Sequence, residues 1–216
     1  MPGVDRFVCH SRRVLRIALK LGWKAGVQYT NLRNVRGVDE IGFLDIDWKA
    51  YDFKRHLEAA RATRPGLTVA HDVTDEADLE RVVDQASDLA RFAERVVIVP
   101  KDKKLEDGLE ERVPQEFWFG YSVPTRYGAT PLSPHVFRRP VHLLGGRPDV
   151  QRRIAEMLPV VSLDCNRFTI DACYGDYFDG DGFRPHPVGG YERCIADSIQ
   201  NVNNLWREYR APRLET

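Results

Sequence analysis

Four aspartates stand where an apolar run stops: Asp45 and Asp47 in FLDIDW, Asp72 in LTVAHD, and Asp164 in VVSLD. A carboxylate that is both anchored and reachable can act as a nucleophile or as a general acid and base. A strand tip that opens into a cleft meets both conditions. Plainer roles exist for each, since Asp at a strand end also closes turns and caps helices. Asp72 is followed by Thr74 and Asp75, and any of the three could cap the helix that comes next. Asp45 and Asp47 flank Ile46 and so point to the same side of an extended strand, where one of them could merely hold a loop. His10, His71 and His142 read as structural histidines, and with no HxH or HExxH spacing no metal is expected. Cys165 lies beside Asp164 without an adjacent base, so it is set aside as a nucleophile. Gly145-Gly146 ahead of Arg147-Pro148 suits either an anion cradle at a helix N-terminus or a tight turn.

The elements that must carry these residues share one grammar. Short runs rich in Val, Ile, Phe or Leu occur at 6–10, 25–30, 41–47, 67–72, 95–101, 117–122, 141–146 and 160–164. Amphipathic helices are expected between them at 12–21, 52–62, 76–93 and 148–157, with a closing helix over 191–209. Proline discourages a continuous helix in 101–116 and 125–139, which read as irregular connections. Alternating strands and helices imply parallel β/α units, and eight of them suggest a compact (β/α)8 TIM-type barrel in a single domain spanning 1–216. A doubly wound open sheet is the alternative. In a barrel, chemistry belongs at the C-terminal strand ends. In order these are His10, Tyr29, Asp47, Asp72, Lys101, Ser122, Gly145-Gly146 and Asp164, which brings three carboxylates to one mouth.

Composition narrows the setting. Hydrophobic residues at 43% and charged residues at 30% are those of a globular protein and exclude a disordered tail. Because 32 basic side chains balance 32 acidic ones, any nucleic-acid binding must come from a local patch. No apolar run approaches membrane-spanning length and no signal-like apolar core opens the chain, so a cytoplasmic protein without a membrane partner is expected. The four cysteines form no CxxC or CxC pair, and reduced thiols are the expectation.

Two stretches carry a family resemblance. VHLLGGRPDVQRRIAEMLPVVSLDCN (141–166) resembles the end of the barrel in the tRNA-guanine transglycosylase family, where a YLMGVG-like strand precedes PDD or PED, a helix, and an apolar strand ending in Asp-Cys. LTVAHDV and the later ARFAERVVIVPK are similar to that family's IVMAFDEC strand, RWAER helix end and LFGIVQG strand. More loosely, LDIDWKAY resembles its TDSGGF stretch and FWFGYSV its GYAIGG strand. The sequence departs from the family in lacking the CxCxxC zinc site, in placing Pro100 where the family has Gln, and in carrying Trp48, Lys49 and Ala50 in place of the DSGG glycines. A shortened barrel of this kind looks like the DNA-modifying branch, the compact viral enzymes that insert 7-deazaguanine bases into phage DNA.

The resemblance implies roles residue by residue. Asp164 takes the place of the nucleophile that attacks C1′ of the target nucleotide, and Asp47 that of the second catalytic aspartate, here the acid and base. Asp72 takes that of the carboxylate recognising the guanine face, and Tyr51 that of the aromatic stacked on the base. Asp45, Ser122, Val123, Gly145 and Gly146 would line the base pocket, with Arg12, Arg13, Lys101, Arg138 and Arg147 supplying phosphate contacts beside Lys103, Lys104 and Arg139. The implied partners are DNA, its target guanine nucleotide flipped out or single-stranded, and a base such as preQ0, with no cofactor. Two other readings stay open: a barrel that binds nucleobase or nucleic acid without turnover, and a nucleoside or glycosyl hydrolase on the same fold.

Overall fold

The computed structural model describes residues 3–126 and 128–212. Eight parallel strands follow one another around the molecule in chain order: β1 Asp5–Cys9, β2 Lys24–Gln28, β3 Phe43–Asp45, β4 Leu67–Val69, β5 Arg95–Ile98, β6 Trp118–Ser122, β7 Val141–Leu144 and β8 Val160–Asp164. β8 pairs back onto β1, with Phe7 opposite Asp164, so the sheet is a closed barrel and the open-sheet alternative falls. Strands buried on both faces need apolar side chains on both, which is why these runs are continuous rather than alternating. Inside, the rings of Phe7 and Phe43 lie 5.5 Å apart. Opposite this bulk, Gly120 of β6 has no room for a side chain, because a Cβ there would sit 2.7 Å from Val99 and 2.8 Å from Val97.

Around the barrel run α1 Arg12–Lys20, α2 Phe53–Thr63, α3 Leu79–Leu89, the single turn α4 Leu109–Arg112, α5 Pro148–Ile154, α6 Arg167–Ala172 and α7 Tyr191–Trp206. Their buried faces follow helical spacing, as with Leu79, Val82, Ala86 and Leu89 in α3. Asp52 caps α2 by accepting from the Arg55 amide at 3.1 Å. Ahead of α3, Asp75 and not Thr74 or Asp72 caps the 3-10 turn Glu76–Asp78, accepting from the Ala77 amide. The helix expected over 76–93 is therefore a 3-10 turn followed by α3. Among the elements unread in the sequence are the single turn α4, within a stretch taken as an irregular connection, and, between β8 and α7, α6 and the antiparallel pair β9 Asp176–Phe178 with β10 Phe183–Pro185.

The link from β2 to β3 has no α-helix. A 3-10 segment, Tyr29–Val35, takes its place. The outer wall beside α1 is left with a groove of about 810 Å³ whose lining includes the buried Ala25 and Gly42. Elsewhere the ring is tightly fastened. Trp23 Nε1 donates to Asn203 Oδ1 at 2.8 Å and Asn203 Nδ2 donates to the Leu21 carbonyl, which locks α7 onto the turn after α1. Tyr209 donates to the Leu158 carbonyl and accepts from the Val160 amide, fixing the start of β8. Among the described residues no helix is long and apolar enough to cross a membrane.

Arg138 and Arg139 precede β7 and so lie at the N-terminal end of the barrel, away from the mouth. This corrects their assignment to phosphate binding there. Arg139 is a structural cation: Nε donates to Glu110 at 2.6 Å, Nη1 to the Pro114 carbonyl and Nη2 to the Val113 carbonyl, while the guanidinium covers the Phe119 ring at 4.4 Å. Replacing Arg139 with Met leaves Glu110 without its cation and is expected to cost about 3 kcal/mol in chemical denaturation. Arg138→Ala, at an exposed side chain, should stay within about 0.5 kcal/mol of the parent.

Candidate active site

At the C-terminal end of the barrel a cavity of about 430 Å³ is lined by Asp45, Asp72 and Asp164 together with Trp48, Lys101, Ser122, Val123, Gly145, Gly146 and Asn166. Three carboxylates from β3, the end of β4 and β8 thus meet in one opening, as the strand-tip argument requires. Asp164 is the last residue of β8 and only 6% exposed. Its Oδ1 accepts from the Gly145 amide at 2.9 Å. The tips of β7 and β8 are held in register by fully buried Gln151, whose Nε2 donates to the carbonyls of Gly145 at 2.7 Å and Asp164 at 2.8 Å.

Asp45 closes the three-residue strand β3 and accepts from the Ile46 amide at 2.8 Å. Burial first, and then the charge of Asp164, push its carboxyl up to about 8, with smaller contributions from Asp72 and Asp47 against the lowering effect of the Ile46 amide. Two facing carboxylates that share a dry site cannot both ionise cheaply, and their protonation belongs to the pair. Cys9, at the tip of β1, feels the same field: burial, then Asp45 and Asp164, raise its thiol well above the ordinary range. Its amide donates to Asn166 Oδ1 at 3.0 Å, joining β1 to the rim beyond β8. Asp72 forms an ion pair with Lys101 at 2.6 Å, both side chains largely shielded, so one of the three carboxyl groups already has a fixed cation.

Asp47 does not join the cavity, a correction to its reading as the acid and base. β3 ends at Asp45 and the chain turns, so the alternation that would aim Asp47 inward no longer applies. Its Oδ1 instead accepts from the Lys49 amide at 3.2 Å, a local turn bond. Tyr51 is likewise corrected. Its ring stacks on His71 at 4.5 Å and 11°, and its hydroxyl lies 3.2 Å from His56 Nδ1. Among the described residues the aromatic side chain on the cavity wall is Trp48, 51% exposed. Arg12 donates to the Arg36 carbonyl and lines the outer groove, while Arg13 pairs with Glu192 at 2.6 Å, and neither borders the cavity. Arg147 follows cavity-lining Gly146, pairs with Asp149 at 3.0 Å and stands 5.6 Å over the Phe183 ring.

Gly145 and Gly146 both have positive φ, at 59° and 86°. A Cβ at Gly146 would fall 2.4 Å from Val123 Cγ1, whereas one at Gly145 would meet nothing within 4 Å. Gly146→Ala combines left-handed strain with overpacking and should cost about 3 kcal/mol, against about 1 kcal/mol for Gly145→Ala. Thermal melting of the two variants reads the difference as a drop several degrees larger for the first.

Gln151, Cys9 and Trp48 carry no site role in the reading of the sequence, and His142 is read there only as a structural histidine. His142 is fully buried beneath Asp164, 3.7 Å from its Oδ1. For His142 and Gln151 the signal is position, a polar residue inside an otherwise apolar strand or buried helix face.

Fold and site together define a compact (β/α)8 barrel with an acidic pocket at its C-terminal mouth. The chain belongs to a family of unknown function, DUF6610, whose profile matches residues 18–207. None of the curated proteins compared with it matches.

Proposed function

We propose that the protein is a DNA-guanine transglycosylase, which replaces guanine in DNA by a 7-deazaguanine base such as preQ0. The observation that carries this reading is the pairing of Asp164 with a protonatable Asp45 in one cavity of about 430 Å³, a volume suited to a single nucleotide. The resemblance over 67–101 and 141–166 points to the same chemistry. In this reading Asp164 attacks C1′ of a guanine nucleotide, and the C1′–N9 bond breaks. Asp45 gives its proton to the departing purine, and Asp164 holds the sugar as an ester. Asp45, now a carboxylate, takes the ring proton of the incoming base, whose nitrogen attacks C1′ and releases Asp164. Two inversions give net retention, the logic of paired carboxyls in retaining glycosidases.

Asp72 would accept from the ring N–H and exocyclic amine of the guanine face, exchanging its contact with Lys101 for them. Trp48 replaces Tyr51 as the stacking surface. A base within a duplex cannot reach such a cavity, so the target is flipped out or single-stranded. Lys101 and Arg147 are the cations at the rim suited to its phosphates.

The test is mass spectrometry of nucleosides after incubation of the protein with guanine-containing single-stranded DNA and preQ0. Incorporation of the deazaguanine nucleoside with release of free guanine is the expected result. Guanine release without incorporation would assign a hydrolase instead, and saturable base binding with neither product would assign a binding protein.

A further inference from the structure

Below the three carboxylates the barrel interior contains a second polar layer. His142 of β7 points inward between Phe43, whose ring is 4.8 Å away, and Phe7, at 5.9 Å. Its Nδ1 lies 2.8 Å from the hydroxyl of Ser162, a residue only 2% exposed. Its Nε2 is buried without a hydrogen-bond partner and stands 3.7 Å from Asp164 Oδ1. Leaving a buried polar nitrogen unsatisfied costs about 1–3 kcal/mol, and a phenylalanine would fill the same space beside Phe7 and Phe43 without that cost. The arrangement therefore asks for a reason.

We propose that His142 is a positioning residue for Asp164. The inference rests on the reading of Asp164 as nucleophile. A bare Nε2 would set its lone pair against a carboxylate oxygen, so the favoured arrangement has Ser162 donating to Nδ1 and the proton on Nε2, facing Asp164. The Gly145 amide is hydrogen-bonded to Oδ1 at 2.9 Å, and the Nε2–H faces the same oxygen at 3.7 Å, beyond hydrogen-bond length but near enough for its dipole to act on the charge there. Oδ1 is thereby held and Oδ2 is the oxygen that attacks. In the glycosyl ester, Oδ1 is the carbonyl oxygen. When the incoming base breaks the C1′–Oδ2 bond, the bonding pair returns to the carboxylate and the two donors stabilise the charge that spreads onto Oδ1. His142 keeps its proton throughout, and no proton is gained or lost in this layer.

The chemistry makes Ser162 part of the device, since its hydroxyl proton decides which ring nitrogen of His142 is free to donate. Long-range proton–nitrogen NMR on the full chain reads that choice without turnover. The expected result is a protonated Nε2 and an unprotonated Nδ1, a pattern lost in Ser162→Ala and with its Nε2–H signal displaced in Asp164→Ala. A wild-type ring protonated on Nδ1 alone would overturn the proposal.

The kinetic arm uses His142→Phe, which keeps the packing and removes the donor. The rate of base exchange should fall about 100-fold, the scale of losing one donor from an oxyanion-type cradle, with KM for the base within about threefold. His142→Gln, which returns an N–H donor, should recover most of the loss. His142→Phe exchanging at the parent rate with an unchanged melting temperature would also overturn the proposal. If the wild type exchanges no base while the Nε2–H signal still responds to Asp164→Ala, the transglycosylase reading fails and the positioning contact stands.

Discussion

Asp164→Asn is expected to abolish base exchange, by about 10⁴-fold or more, and to leave no DNA adduct that survives denaturing electrophoresis. The size follows from the role: an amide cannot form the ester through which both displacements pass, and removing a nucleophile that acts as part of a unit removes nearly the whole effect of the unit. The fold should survive, because the Asn carbonyl can still accept from the Gly145 amide in place of Oδ1 and Gln151 still holds the backbone of both strand tips. Melting within a few degrees of the parent, together with lost trapping, is the informative combination. Exchange at the parent rate would remove Asp164 from the chemistry.

Asp45→Asn carries the second large effect, a loss of about 10²- to 10⁴-fold in kcat/KM, the usual contribution of a general acid and base. Its signature is in the pH dependence. The active form of Asp45 carries a proton, and its carboxyl titrates near 8, so kcat/KM should fall as pH rises through about 8 and that limb should vanish in the variant. Stability follows the same titration. The unfolded chain releases this proton near ~3.9, the folded one only near 8, so between these values the folded state holds more protons. Stability therefore declines as pH rises from ~4 to about 8 and then levels off. Asp45→Asn removes the burden and should raise the melting temperature at pH 9 by about 3 °C or more, while at pH 4 the two proteins should nearly coincide. Asp47→Asn, at a side chain whose Oδ1 accepts from the Lys49 amide, should leave exchange within about threefold of the parent. A tenfold or greater loss there would return the acid's role to Asp47.

The strands were legible because a parallel barrel imposes one simple demand, apolar on both faces, and every such run in the sequence became a strand. Their ends were less so. The run at 41–47 shrinks to Phe43–Asp45, and that contraction moves the inward carboxylate from Asp47 to Asp45. Alternation is a property of extended backbone and lapses once the chain turns. The lengths of α6 and the β9–β10 pair explain why they were missed: six and three residues give too few repeats for any period to emerge. Asp72 and Asp164 could be read because each ends an apolar run. His142 and Gln151 could not, since their partners, Ser162 and the carbonyls of Gly145 and Asp164, adjoin them only after the barrel closes. The direction of the chain, by contrast, was available for Arg138. A residue that precedes a strand lies at the barrel's foot, and sequence order alone could have said so.

The helix missing between β2 and β3 bears on how Asp45, the proton donor proposed above, behaves over time. Between β2 and β3, where Gly26 stands opposite Phe43 and Gln28 opposite Asp45, the connection is a 3-10 segment instead of an α-helix. Backbone amides along this seam should exchange with deuterium sooner than those between β6 and β7, where the ladder has four residue pairs against three. Asp45 thus sits on a strand that pairs with β2 at three positions and with β4 at two, whereas Asp164 sits on β8, which pairs at three with each neighbour and is tied to β7 by Gln151, so local opening should reach Asp45 first.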